Sequence, residues 1–294
     1  MTMTMTARFP VSAFKTIWTG VNHPESIVWD GDRNLLYAGG ERGEIYRGDL
    51  DNNWQQIADC GTDAFVLGLA LDARGDLYVC ERGNSRLLRI DSESLEQVEL
   101  SRGTPSRPMI CPNFAAFDVS GRLLVTDSGT WGADDGVVFT LSSHGETSVW
   151  STVPSNFPNG IAFSQDGAFL YVVESAASKV WRIEVREDGS AGARKLVWHV
   201  PDTVPDGVTL DAAGDLYISC YTPDSIYVVD MATGESELLL HDWSGQHMQA
   251  PTNIAFVGPE LDQLASANLC GRHVNVATGL GITGLPLVRP EVER

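Results

Sequence analysis

Residues 159–185 read NGIAFSQDGAFLYVVESAASKVWRIEV, and residues 206–230 read DGVTLDAAGDLYISCYTPDSIYVVD. The two stretches share one grammar. A short apolar strand ends at Ser or Asp, a Gly-containing turn follows, a second apolar strand answers it, and a third closes the unit. Runs of β-branched and aromatic residues bounded by Gly and Asp read as strands. Asp in such a turn accepts from the backbone just ahead of it, and Gly takes the left-handed position. Working outward, the same grammar opens at Glu25 (ESIVWDGDRNLLYAGG), Leu67 (LGLALDARGDLYVCE), Asn113 (NFAAFDVSGRLLVTD) and Thr252 (TNIAFVGPELDQLASAN). The six copies start 42 to 47 residues apart. No segment holds a helical period.

Six units of this length predict an all-β, six-bladed β-propeller with four-stranded antiparallel blades. A blade can bury its faces only against its neighbours, so six copies make one domain over residues 1–294 rather than six. Residues 1–11 are expected to be a flexible N-terminal extension. Residues 12–19 (SAFKTIWT) are expected to pair with the last blade, because ring closure removes exposed strand edges.

The charge narrows the partners. Lys and Arg number 20 against 39 Asp and Glu, a formal net charge of −19. Such a field repels phosphate backbones and anionic lipid, so neither nucleic acid nor a membrane is an expected partner. No stretch has the length of a membrane span or the pattern of a signal peptide. The five cysteines are odd in number and widely spaced, with no CxxC pair. That argues against a disulfide framework and a structural zinc site, and for a reduced, cytoplasmic protein. Oligomeric state is not legible.

The same register of each blade carries the chemistry. Four residues before the large apolar residue of each first strand stand Glu25, Leu67, Asn113, Asn159, Asp206 and Thr252. First strands line the channel of a propeller, so these positions form a ring at one end of it. Carboxylate and carboxamide oxygens without His or Cys suit a hard cation such as Ca²⁺. Asn-Gly and Asp-Gly are also ordinary turn dipeptides, but four oxygen-bearing residues in register point to a central metal site. Pro24, Pro112, Pro158 and Pro205 each precede a ring residue, and Pro stiffens the loop that presents it.

At FPNGIAFSQDGAFLYVVES and PDGVTLDAAGDLYISC the chain resembles the family of senescence marker protein, gluconolactonase and luciferin-regenerating enzyme. It resembles diisopropyl fluorophosphatase and the paraoxonases more distantly. The resemblance implies a metal held by Glu25, Asn159 and Asp206, with Asn113 binding substrate. It also implies lactone or related ester hydrolysis dependent on one divalent cation, Ca²⁺ first, with Mn²⁺, Zn²⁺ and Fe²⁺ as alternatives. Three positions depart from the sugar-lactone branch. Its Arg falls at Cys111, its Asp at Phe114, and its second-strand Glu at Trp131 in an ungapped comparison. With Asp127 these complete the expected substrate-binding set, and the loss of polar contacts favours an apolar ring over a polyhydroxylated one.

The expected function is therefore metal-dependent hydrolysis of a small, rather apolar lactone or ester. Asp206 is the expected catalytic acid/base, with direct nucleophilic attack by Asp206 as the other route. A sugar lactonase and a non-catalytic, metal-stabilised binding propeller are the alternatives. His247 and His273 are weaker candidates. Cys111 lacks a partnered His, and Ser128 lies outside any GxSxG context.

Overall fold

The repeated turn shows why these residues form hairpins. Oδ1 of Asp30 accepts from the backbone N–H groups of Asp32 and Arg33. The matching oxygens of Asp72, Asp118 and Asp211 accept from residues two and four further on. Gly75, Gly121 and Gly214 take the left-handed position that closes three of these turns. In these four blades the first two strands are thereby joined by a turn written in the blade's own sequence.

The computed structural model describes residues 6–142 and 144–292. It shows six four-stranded antiparallel sheets. Their first strands are Ser26–Asp30, Val66–Leu71, Pro112–Phe117, Pro158–Phe163, Val204–Leu210 and Pro251–Val257. Each first strand packs against the first strands of both neighbouring blades, so the six close a ring around a central channel. This is the six-bladed propeller that the repeat spacing predicts.

Closure joins the two ends of the chain. Phe14–Thr19 forms the outer strand of blade 6 by pairing antiparallel with His273–Ala277, from Phe14 opposite Ala277 to Thr19 opposite His273. Of the expected N-terminal extension, residues 1–5 lie outside the described residues. The backbone N–H groups of Arg8 and Phe9 bond to the carbonyls of Leu238 and Leu239 on the outer strand of blade 5.

Six apolar clusters hold the ring, one between each pair of adjacent blades. Between blades 6 and 1, for example, Trp18, Ile27, Trp29, Val257 and Ala265 pack together. No helix among the described residues is long and apolar enough to cross a membrane.

Candidate functional site

Each first strand begins at the same end of the channel, where Glu25 stands just ahead of its strand and Asn113, Asn159 and Asp206 lie in the opening residues of theirs. All four are buried, at 5, 2, 3 and 8% exposure. Thr252 completes the polar part of the ring, and its Oγ1 donates to the backbone carbonyl of Glu25 at 2.7 Å.

The orientation of the two carboxamides follows from their hydrogen bonds. Ser128 Oγ donates its one proton to the carbonyl of Pro158 at 2.7 Å. It can therefore only accept from Asn113, whose Nδ2 lies 2.9 Å away. Ser175 repeats the arrangement one blade on, donating to Pro205 O at 2.6 Å and accepting from Asn159 Nδ2 at 3.2 Å. Both amides thus turn N–H outward. Their buried Oδ1 atoms are left without a hydrogen-bond partner in the protein.

The two carboxylates tell the same story through charge. Burial pushes the Glu25 carboxyl well above its ordinary value, and the charge of Asp206 pushes it further. Burial pushes Asp206 up to about 8, against a smaller downward pull from the Asn159 side chain. Unpartnered buried acceptors are costly. Two unpartnered amide oxygens beside two buried carboxylates fit a hard divalent ion, which takes oxygen ligands. No cluster of three or more His, Cys, Asp or Glu suited to a metal occurs among the described residues. A cation held here would rest on the amide oxygens as much as on the carboxylates.

The remaining residues singled out by the sequence fall in different places. Asp127 is buried and braces the loop ahead of Asn113. Its Oδ2 accepts from the N–H groups of Ile110 (2.7 Å) and Cys111 (3.1 Å), and its Oδ1 from Gly129. Glu174 does the same for the loop ahead of Asn159, accepting from Ser155 and Asn156. Cys111 is buried beside Glu25, Asp127 and Arg82, and burial raises its thiol to about 11, which leaves it protonated at neutral pH. Trp131 is 55% exposed and packs edge-on against Phe157, two residues before Asn159, with centroids 4.9 Å apart. Phe114 instead lines the channel on the inner side of the ring. The ring nitrogen of His273 meets the backbone carbonyl of His247 at 2.7 Å, a structural bond.

The anchoring serines and Arg82 do not stand out in the sequence. Ser128 and Ser175 follow the acidic ends of two second strands, as TDS and VES, 47 residues apart. That spacing was the available signal. Arg82 projects over the Phe65 ring at 5.7 Å, and its charge reaches the Cys111 thiol. It brings a cation to the place where the sequence had lost one.

Comparison with known proteins agrees with the fold. A family model described as SMP-30/Gluconolactonase/LRE-like region matches residues 23–266. Regucalcin of Xenopus laevis is 23% identical over 292 residues, covering 89% of this chain and 92% of its own. Lactonase drp35 of Staphylococcus haemolyticus is 24% identical over 215 residues, covering 69% of this chain and 65% of its own. Among solved structures, the calcium-binding protein regucalcin of Agrobacterium tumefaciens superposes with a TM-score of 0.79 at 16% identity, covering 99% of this chain and 100% of that one. At that identity the likeness speaks for the fold alone.

Proposed function

The chain belongs to the SMP-30/gluconolactonase/LRE-like family, and on that premise we propose that it is a divalent-cation-dependent hydrolase of a small lactone or ester. The observation that carries the reading is the pair of carboxamides whose oxygens are turned away from Ser128 and Ser175 and left unpartnered. Glu25, Asn159 and Asp206 would hold the cation, Ca²⁺ first by its preference for such oxygens. When bound, the cation supplies a Lewis acid that polarises a carbonyl and acidifies water.

The rest of the chemistry belongs to the chain. Asp206 takes a proton from the attacking water and returns it to the leaving alkoxide. Asn113 and Asn159 orient the reactants through oxygens that cannot flip away. The Trp131–Phe157 pair, two residues ahead of Asn159, would favour an alkyl- or aryl-substituted ring. Arg82 favours a second reading, a sugar lactonase, because a guanidinium beside Cys111 could serve ring hydroxyls.

The test uses chelated protein with Ca²⁺, Mn²⁺, Zn²⁺ or Fe²⁺ restored. We expect hydrolysis to vanish on chelation and return with a cation. We also expect kcat/KM to be higher for an alkyl δ-lactone or phenyl acetate than for δ-gluconolactone. Turnover that ignores chelation overturns the cation, and a clear preference for gluconolactone moves the protein to the sugar-lactone reading.

A further inference from the structure

The second strands end in a register of their own. Asp127 pairs opposite Pro112 and Glu174 opposite Pro158. The next residues, Ser128 and Ser175, are the ones that reach the ring asparagines. In blade 2, Glu81 pairs opposite Val66, the residue before Leu67. Arg82 therefore holds the serine position of a blade whose ring residue, Leu67, has no side-chain oxygen or amide to anchor. Its guanidinium is left for another partner.

The turn that carries Arg82 is fixed on both sides. Buried Glu81 accepts from Phe65 N–H at 3.1 Å, from Asn84 N–H at 3.1 Å and from Arg86 Nε at 2.9 Å. Arg82 N–H bonds to Phe65 O at 2.9 Å, and the guanidinium lies over the Phe65 ring, 5.7 Å from its centroid. A side chain at Gly83 would collide with the carbonyl of Asp63, so the turn lies tight against the entry loop of blade 2. On its other side Ser85 Oγ donates to Ile110 O at 2.9 Å, next to Cys111.

This guanidinium has no counter-charge in the protein. The chain carries 39 carboxylates against 20 cations, yet among the described residues none forms an ion pair with Arg82. Glu81 beside it is already committed to Arg86 and to backbone N–H groups. The charge of Arg82 is felt instead at the Cys111 thiol: burial raises that thiol, and Arg82 is the largest pull the other way. Cys111 stands two residues ahead of Asn113, so the cation lies beside the residues that open the ring position of blade 3.

We infer that Arg82 is a specificity residue of this site, and that the substrate is a lactone or ester carrying a carboxylate, which the guanidinium binds. The inference rests on the reading of the ring as the place of ester cleavage. A guanidinium matches a carboxylate with two parallel N–H···O bonds, charge-assisted and about twice as strong as neutral ones. A hydroxyl would leave the charge of Arg82 uncompensated. Stacking on Phe65 holds the planar fork in place before the substrate arrives. A cation at the ring would offset Glu25 and Asp206, so an anionic substrate need not face them bare.

The test compares the γ-carboxylate of γ-butyrolactone with the matching carboxamide, on protein with Ca²⁺ restored. We expect kcat/KM to favour the carboxylate by about 5- to 20-fold, between an exposed ion pair and a charged hydrogen bond out of water. Arg82→Met removes that preference, mainly through KM, and Arg82→Lys keeps part of it. Added salt shrinks the wild-type preference. Binding is read without turnover from the NMR signal of the Arg82 Nε–H group, assigned by its loss in Arg82→Lys. Tetrahydrofuran carboxylate, which has no ester to cleave, should shift that signal and saturate it, and tetrahydrofuran carboxamide should not. A selective shift with no lactone hydrolysed leaves the carboxylate site standing and overturns the hydrolase reading instead. Lactone hydrolysis with no preference for the carboxylate overturns the inference. So does a preference that survives Arg82→Met, or δ-gluconolactone favoured over both probes through Arg82.

Discussion

A side chain at this ring is defined by what holds it as much as by what it offers. Asn113 and Asn159 offer oxygens only because Ser128 and Ser175 commit their own protons to Pro158 and Pro205. If either serine becomes alanine, the amide loses the acceptor that fixed its N–H group, and a proline carbonyl is left unpartnered. Groups that orient metal ligands from behind are worth about 10- to 100-fold in metal affinity. Ser175→Ala should therefore weaken Ca²⁺ binding by about that factor, read by calorimetry. Activity should recover largely at saturating Ca²⁺. Unchanged affinity would show that Asn159 needs no such anchor. Sequence alone could not reveal this role. A Ser at a strand end is commonplace, and the carbonyl that fixes it stands 30 residues away on another blade. The ring residues themselves were legible, since they recur at blade spacing beside Pro. Phe114 was harder to place, because strand pairing slips between Pro112 and Phe114 and simple alternation from Asn113 does not give its direction.

Loops leading into the ring repeat a second device, a buried carboxylate that gathers backbone N–H groups. Asp127 and Glu174 serve blades 3 and 4, and Asp242 organises the loop before blade 6. Burial works to raise the Asp242 carboxyl, but donors from Met248 N, Ser244 Oγ, His247 N and Ser244 N outweigh it and hold it at about 2. Its ordinary value is 3.8. A carboxyl depressed on folding stabilises the protein fully above its unfolded value and loses that contribution as pH falls through the folded one. Asp242 should therefore contribute about 2 kcal/mol at neutral pH, lost between roughly pH 4 and pH 2. Asp242→Asn should melt lower than wild type at pH 7, and the gap should narrow as pH approaches 2. A gap that stays constant with pH would assign the effect to packing instead. The same chemistry explains much of the acidity. Many of the 39 carboxylates accept hydrogen bonds in turns and loops, as Asp30, Asp72, Asp118 and Asp211 do, so the charge is in part a product of the fold.

At the scale of the molecule, a ring of blades is only as strong as its closure. The repeat made the blades readable, and residues 12–19 were readable as a closing strand because an unpaired edge is a liability. The C-terminal strap was not readable. GLGITGLPLVRPEVER has no period, and its partners lie on blades 1, 2, 5 and 6, so only the closed ring brings them together. The closure itself rests on Trp18. Its indole is fully buried between blades 6 and 1, and Nε1 donates to Asp49 O at 2.7 Å. Trp18→Ala removes that packing and leaves a carbonyl of blade 1 without its donor. Replacing a buried Trp in this way costs about 3–5 kcal/mol. At about 2–4 °C per kcal/mol for a chain of this order of size, Tm should fall by roughly 6–20 °C. Loosening Phe14–Thr19 also bares the edge of His273–Ala277, so the variant should associate at higher concentration, as light scattering would show. Trp243 supplies the control, because it is 90% exposed and Trp243→Ala should leave Tm within about 1 °C of wild type. If Trp18→Ala melted like Trp243→Ala, the N-terminal strand would be an ornament on a ring that the other strands of blade 6 already close. A large loss at Trp18 with none at Trp243 places the weight of closure on the one strand that the chain brings from its opposite end.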